Sequence, residues 1–283
     1  MKRPSRRRHS WVLVSFGLLL IHTHPAPAHD SFLVASRNSA AEPCTVRVSL
    51  RTAEGFPASE YQTKPARVDE WIVISGRTRK PVSGYTIQGL ELAADLALEE
   101  PGLHVIATSL HPRFIEFGAD HFNRYLRDEH AGQVIALRKG RGQTDQPGRM
   151  CYTKLVKTFV EVGAQPTEDY KQPAGHTLEI IPLSNPCRWR VGDQVVVRVL
   201  YEGRPAAGMR VSSGHEGLAP HAFVEDVFTD SEGQARFRLT RPGLWFLRTH
   251  LIRSVGPAKA RRAHALPADW ESFWASITFR VGG

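Results

Sequence analysis

The sequence has 283 residues, is 41% hydrophobic and 23% charged, and carries a formal net charge of +9. Five of the positive charges (Lys2, Arg3, Arg6, Arg7 and Arg8) belong to the first eight residues, so the rest is only mildly basic at +4. No basic block interleaved with aromatics remains, which argues against nucleic acid as a partner. The stretch after residue 28 is long enough for one large or two ordinary domains.

The basic start is followed by an uncharged apolar run, 11–21, and then by Ala26-Pro27-Ala28. The run is shorter than the roughly 20 residues needed to span a bilayer. Basic, apolar, then small is the layout of a secretory signal peptide. Residues 1–28 are therefore expected to be removed on export across a bacterial inner membrane. That leaves a periplasmic chain beginning at His29. Ser5-Arg6-Arg7 hints at a twin-arginine signal, but His9 and Ser10 stand where an apolar pair is normal. No later segment is apolar enough to cross a membrane, so the mature form is not expected to span one.

Short runs with period-two alternation come next. Residues 45–50, 71–74, 103–107 and 157–162 read as strands bounded by Gly and Pro. Phe122, Tyr125 and Leu126 fall at helical spacing, with Asp120 placed to cap the start and Gly132 the end, which predicts one short helix. From 163 to 175 the pattern dissolves into linker composition. Seven strands follow, at 178–183, 194–201, 209–213, 223–229, 234–240, 244–250 and 274–281. Seven short strands with regular turns predict an immunoglobulin-like sandwich. The expected fold is all-β: two tandem immunoglobulin-like β-sandwich domains with one short helix in the first. The boundaries are an N-terminal β-rich domain at 29–163, a linker at 164–176 and a C-terminal sandwich at 177–283.

Certain strings resemble a known family. They are Ala28-His29-Asp30 with Phe32-Leu33, Pro101-Gly102, Phe114-Ile115-Glu116, and Phe122-Asn123-Arg124-Tyr125-Leu126 with Glu129. Tyr152-Thr153-Lys154 with Lys157, Leu178-Glu179-Ile180-Ile181-Pro182-Leu183, Gly203-Arg204-Pro205 and Pro242-Gly243-Leu244-Trp245 continue the series. His250 and Asp269-Trp270-Glu271-Ser272-Phe273-Trp274-Ala275 close it. Together they resemble the DUF4198 family of bacterial periplasmic proteins, often labelled as a component of nickel/cobalt uptake. The second half is also similar to carboxypeptidase-regulatory-like and transthyretin-like sandwiches. One departure is visible: His130 follows Glu129 where the family pattern leads one to expect Gly. The stretch between His250 and Asp269 is also long and basic.

Cleavage before His29 would give one residue two nitrogen donors, its α-amine and its imidazole, closing a chelate ring on a metal. Imidazole suits nickel, copper and zinc. Asp30 could add an oxygen or orient the imidazole. His250 ends a strand whose alternation puts Leu244, Phe246 and Arg248 on its face, and strand ends are well placed for sites. The expected metal site is therefore His29, His250 and Asp30, each with a plainer reading as an ordinary structural residue. His215 and His221 flank a Gly/Pro loop and are spaced to permit a shared metal without requiring one. Lys154 and Lys157 could hold a carboxylate; the plainer reading is that they guard an edge strand. Asp269-Trp270-Glu271 is expected to dock the last strand, with Trp270 and Trp274 as core anchors.

Cys44, Cys151 and Cys187 allow three disulfide pairings, and none belongs to a Cys-x-x-Cys pair, which argues against a cysteine zinc site. No Gly-x-Ser-x-Gly elbow, P-loop or His-Glu-x-x-His occurs, so no enzyme is expected. The expected function is capture of a divalent transition metal, nickel or cobalt with copper as the alternative, for delivery to a membrane metal transporter. The rival is a metal-free envelope adaptor that binds a protein or carbohydrate.

Overall fold

Residues 29–255 and 268–283 are described by the structure, a computed structural model. The expected leader, 1–28, and the basic stretch 256–267 lie outside the described residues. The first half contains β1 (Asp30–Ala35), β2 (Ser39–Ala40), β3 (Cys44–Ala53), β4 (Val68–Ser75), β5 (Thr78–Pro81) and β6 (Thr86–Gln88). It continues with β7 (Glu91–Leu98), β8 (Gly102–Leu110), β9 (Arg113–Phe117), α1 (Ala119–Asp128), α2 (Gly132–Gly140) and β10 (Gly148–Val162). The second half contains β11 (Leu178–Pro182), β12 (Gln194–Tyr201), β13 (Arg204–Pro205) and β14 (Arg210–His215). It ends with β15 (Glu225–Phe228), β16 (Gln234–Arg238), β17 (Gly243–Ser254) and β18 (Trp270–Val281).

The fold is all-β in architecture, and all the strands expected from alternation are present. A central sheet runs β15-β14-β17-β18-β10-β8-β4-β5, with β2 and β9 also paired to β10. A second sheet, β1-β3-β7-β6, covers one face, and a third, built from β11, β12, β13 and β16, covers the other. Strand periodicity divides β10 between two cores. Val156 and Val160 pack with Leu33, Val48 and Trp71 under the second sheet. Leu155 and Phe159 pack with Ile180, Val197 and Phe279 under the third. A strand buried on both faces reads as a near-continuous apolar run, which is what Leu155-Val156 and Phe159-Val160 show.

The two halves of the chain meet within the central sheet. β10 pairs parallel with β18 from Met150↔Trp270 to Thr158↔Thr278. The core under the third sheet draws Leu103 and Val105 from before the 164–176 segment and Val195 and Trp245 from after it. That segment itself buries Tyr170 and Ala174 in the same core. Sheet and core are thus continuous across the position expected as a linker.

Two helices stand where one was expected. Gly132 opens α2 and does not close α1. The turn between them is made by His130, whose φ of 54° lies in the left-handed region. Its N–H donates to Arg127 O at 3.0 Å, and Ala131 N–H donates to Leu126 O at 2.8 Å. Gly is favoured where a helix ends on such a residue, which is why the family resemblance leads one to expect it here. α1 lies directly on β10, because a Cβ at Gly148 would come within 2.1 Å of the Phe122 ring. That close approach brings the end of α1, with Tyr125 and Glu129, over the central sheet.

Candidate functional site

Register places three side chains in a row on the sheet face beneath α1 and β1. Lys154 of β10 lies opposite Trp274 of β18, and His250 of β17 lies on the other side of Trp274. Residues in register share a face, so Trp274 is flanked on both sides. The His250 ring stacks on it with centroids 3.7 Å apart. Lys154 Nζ sits 3.9 Å from the indole centroid, a cation–π contact.

β1 crosses this face at one end. Ser276 Oγ donates to Ser31 O at 2.8 Å, and Thr278 Oγ1 donates to Leu33 O. The crossing sets Asp30 against Arg248, whose Nη1 donates to Oδ1 at 3.0 Å and Oδ2 at 3.2 Å. Arg248 also reaches Glu129 at the end of α1, 3.5 Å away. Glu129 in turn lies 3.4 Å from His250 Nδ1. His250 Nε2 is 2.7 Å from Ser272 Oγ and 3.4 Å from the Tyr125 hydroxyl. Burial lowers the His250 pKa, and the Glu129 contact only partly offsets it. A proton on Nδ1 facing Glu129 leaves Nε2 to accept from Ser272. Burial alone would raise Glu129, but the His250 hydrogen bond and the Arg248 charge overcome it and hold the carboxyl at about 2. Asp30, Arg248, Glu129 and His250 thus form one buried chain, two carboxylates on one guanidinium and an imidazole, that ties β1, β17 and α1 together.

His29 precedes that chain and differs from it. Its ring stacks on Tyr61 with centroids 3.6 Å apart. Nδ1 is 3.5 Å from Glu54 Oε1, and His221 Nε2 is 3.7 Å from Glu54 Oε2. Both ring nitrogens of His29 are buried, and neither has a hydrogen-bond partner among the described residues. Burial lowers the His29 pKa, and Glu54 opposes that shift. An imidazole kept neutral with unused nitrogens is a competent donor to a soft or borderline metal.

A cleft of about 530 Å³ opens beside His29. Lys154 reaches its floor, and Lys64, Arg67 and Arg113 stand around it. Its walls include Tyr61, Phe114, Ile115, Phe117, Met150 and Tyr152.

The structure gives each expected site residue a definite setting. Asp30 is engaged by Arg248, and His250 by Glu129, Ser272 and Trp274, so His29 alone of the three has unused donor atoms. Among the described residues, no group of three or more His, Cys, Asp or Glu side chains is arranged to hold a metal ion. His215 Nδ1 lies 2.8 Å from Glu216 O and its ring packs edge-on against Trp245, so it does not join His221. Lys154 and Lys157 stand on a central strand, not an edge, which corrects the edge-guard reading. Cys44, Cys151 and Cys187 are free thiols. Asp269 docks the last strand as expected, with two 2.9 Å bonds from Arg149. Trp270 and Trp274 are buried. Glu54 and Arg113 lie outside every string singled out in the sequence. Arg248 was legible only as a face-mate of His250.

A family profile described as Domain of unknown function (DUF4198) matches residues 26–253. The chain belongs to the DUF4198 family. The matched span takes in the whole Asp30–Arg248–Glu129–His250 chain, together with His29 and the basic cleft. No curated protein matches the sequence. Among solved structures, the D0-D1 domain of intimin shares 11% identity at a TM-score of 0.20, covering 88% of this chain and 97% of that one. A Salmonella alpha-2-macroglobulin mutant shares 12% at 0.24, covering 89% and 15%. The Escherichia coli adhesin FdeC shares 13% at 0.24, covering 91% and 65%. TM-scores this low carry no argument about a DUF4198 chain's function.

Proposed function

We propose that this DUF4198 chain is exported to the periplasm, processed to begin at His29, and captures a divalent transition metal as cargo. Nickel or cobalt is the expected ion and copper the alternative, with a membrane transporter as the recipient. The observation that carries the reading is His29 itself: two buried ring nitrogens, without a hydrogen-bond partner among the described residues, beside a carboxylate. The α-amine released by processing, the imidazole and Glu54 make three donors of the types such ions take. His221, on the far oxygen of Glu54, is the nearest further imidazole. The absence of a ready three-side-chain cluster among the described residues makes the amine necessary. Asp30 and His250 act in this reading by fixing β1, and hence His29, in place.

Calorimetric titration of the processed protein with Ni²⁺ and Cu²⁺ tests it, after N-terminal sequencing has established that His29 comes first. His29→Ala, Glu54→Gln and a form with an uncleaved Met before His29 should each bind about tenfold or more weakly, roughly 1.4 kcal/mol. His250→Ala should lose less; an equal loss would make His250 a ligand. Unchanged affinity in all four would end the metal reading and favour the adaptor.

A further inference from the structure

We propose that the cleft between β1, β9 and β10 binds a small organic anion, a carboxylate or phosphate oxyanion carried on an apolar body. The first ground is charge. Lys64, Arg67, Arg113 and Lys154 line the cleft, and among the described residues no Asp or Glu does. None of the four forms an ion pair with a described residue. Arg149, Arg188, Arg248 and Arg253, by contrast, are each paired with a carboxylate. Burial lowers the Arg67 pKa, Tyr152 opposes that, and the neighbouring Arg113 lowers it further. Such crowding of like charge is relieved by an anion between them, and guanidinium groups match the fork of a carboxylate or phosphate.

The second ground is independent of the first. Lys154 is only 4% exposed. Its Nζ has no hydrogen-bond partner among the described residues and reaches the cleft. A buried amine without an acceptor is costly and rare. The indole of Trp274 offers it a π face but no lone pair. Asp30 and Glu129, the nearby acids, are already taken by Arg248 and His250. An oxyanion entering the cleft supplies the missing acceptor.

The remaining lining sets the rest of the ligand. Tyr61, Phe114, Phe117, Met150 and Tyr152 form apolar walls, and a volume of about 530 Å³ suits a small molecule and not a lone inorganic ion. The rim hydroxyls are mutually satisfied: Ser31 Oγ, Thr52 Oγ1 and Thr63 Oγ1 lie 3.1 Å apart in sequence. They leave charge and apolar contact to select the ligand.

The test uses full-length processed protein in metal-stripped buffer, so that it does not depend on the metal reading. Octanoate, phenyl phosphate, inorganic phosphate and uncharged benzyl alcohol are titrated by calorimetry and by rise in Tm. Octanoate or phenyl phosphate should saturate a single site, and comparing them tells carboxylate from phosphate preference. Inorganic phosphate should bind at least tenfold more weakly than phenyl phosphate, and benzyl alcohol should not saturate. Lys154→Met, Arg67→Gln and Arg113→Gln, each verified as folded by circular dichroism, should weaken the anion tenfold or more. Lack of saturable binding by both organic anions overturns the site, as does equal binding of benzyl alcohol or full affinity in the three variants. Inorganic phosphate binding as tightly as phenyl phosphate overturns the apolar-body assignment.

Discussion

Lys154 and Lys157 stand three positions apart on β10 and are almost equally buried, 4% and 2% exposed, yet they sit in opposite situations. Odd spacing sends them to opposite faces of the sheet. Lys157 enters the core beneath the third sheet, where Nζ donates to Glu179 Oε1 at 2.7 Å. Glu179 also accepts from Gly175 N–H at 3.3 Å and from Ala174 N–H. Burial lowers Lys157, Glu179 opposes that, and the pair is a closed structural unit. Lys154 faces the second sheet, lies over Trp274 and ends at the cleft without a hydrogen-bond partner among the described residues. The difference teaches that burial of a charge does not mark a site; burial of a charge with an unused donor beside open space does.

The largest expected effect falls on the closed side. Lys157→Ala strands Glu179 as a buried uncompensated charge and should cost about 3–5 kcal/mol in urea unfolding. The joint change Lys157→Met with Glu179→Leu should recover most of that loss, since a buried pair is often matched by apolar residues of similar size. A single variant losing less than about 1 kcal/mol would put Lys157 in the class of exposed pairs and dissolve the contrast.

On the open side the sign reverses. Burial brings Lys154 down to about 7, with Asp30 raising it and Arg248 lowering it. Between about pH 7 and the unfolded value near 10.4 the unfolded chain holds a proton that the folded chain lacks. Stability from this group therefore rises with pH across that window, and the full penalty of the charged amine is present below it. Without ligand, Lys154→Met should gain roughly 2–4 kcal/mol near pH 6, with the gain fading towards pH 10. Denaturation at several pH values checks this. A loss at every pH would mean that Lys154 is structurally satisfied, like Lys157. A gain in stability at the cost of anion binding is the pattern of a functional group held in an unfavourable state.

The smallest effect concerns the turn that holds Glu129 over this side. His130 occupies a left-handed position at φ 54°. His130→Gly should stabilise by about 1 kcal/mol, because Gly takes that conformation without the Cβ penalty. Thermal unfolding reads the shift. A destabilised variant would give the His130 side chain a role of its own.

Much of the β architecture was legible because alternation is local. In Leu244-Trp245-Phe246-Leu247, the even positions pack with Phe32 and Val34 and the odd ones with Ile277 and Phe279, as period two requires. The second helix was hidden because Gly132 and His130 reverse the usual signals: a glycine begins a helix and a non-glycine takes the left-handed turn. β7 (Glu91–Leu98) was passed over because its Ala-rich core has little β-branched character. His29 and Asp30 were singled out together, yet their partners differ. Arg248 claims the Asp30 carboxylate, and no described residue hydrogen-bonds to the His29 ring nitrogens.

By itself the sequence determined the longer alternating strands and their two faces, which follow from backbone preference and from side-chain period, acting over a few residues. The family resemblance, and not that periodicity, put His29, Glu129, Lys154 and His250 in one set of strings. Only the tertiary structure decided that β10 and β18 lie parallel in one sheet, because parallel pairing of distant segments carries no turn signal. It also decided what covers each face of β10, and therefore which lysine meets a carboxylate and which meets a ring. Both are Lys in an apolar strand. The acid that pairs one of them lies on β11, and the ring that flanks the other lies on β18. Long-range packing, not local pattern, assigns a buried charge its partner or leaves it without one.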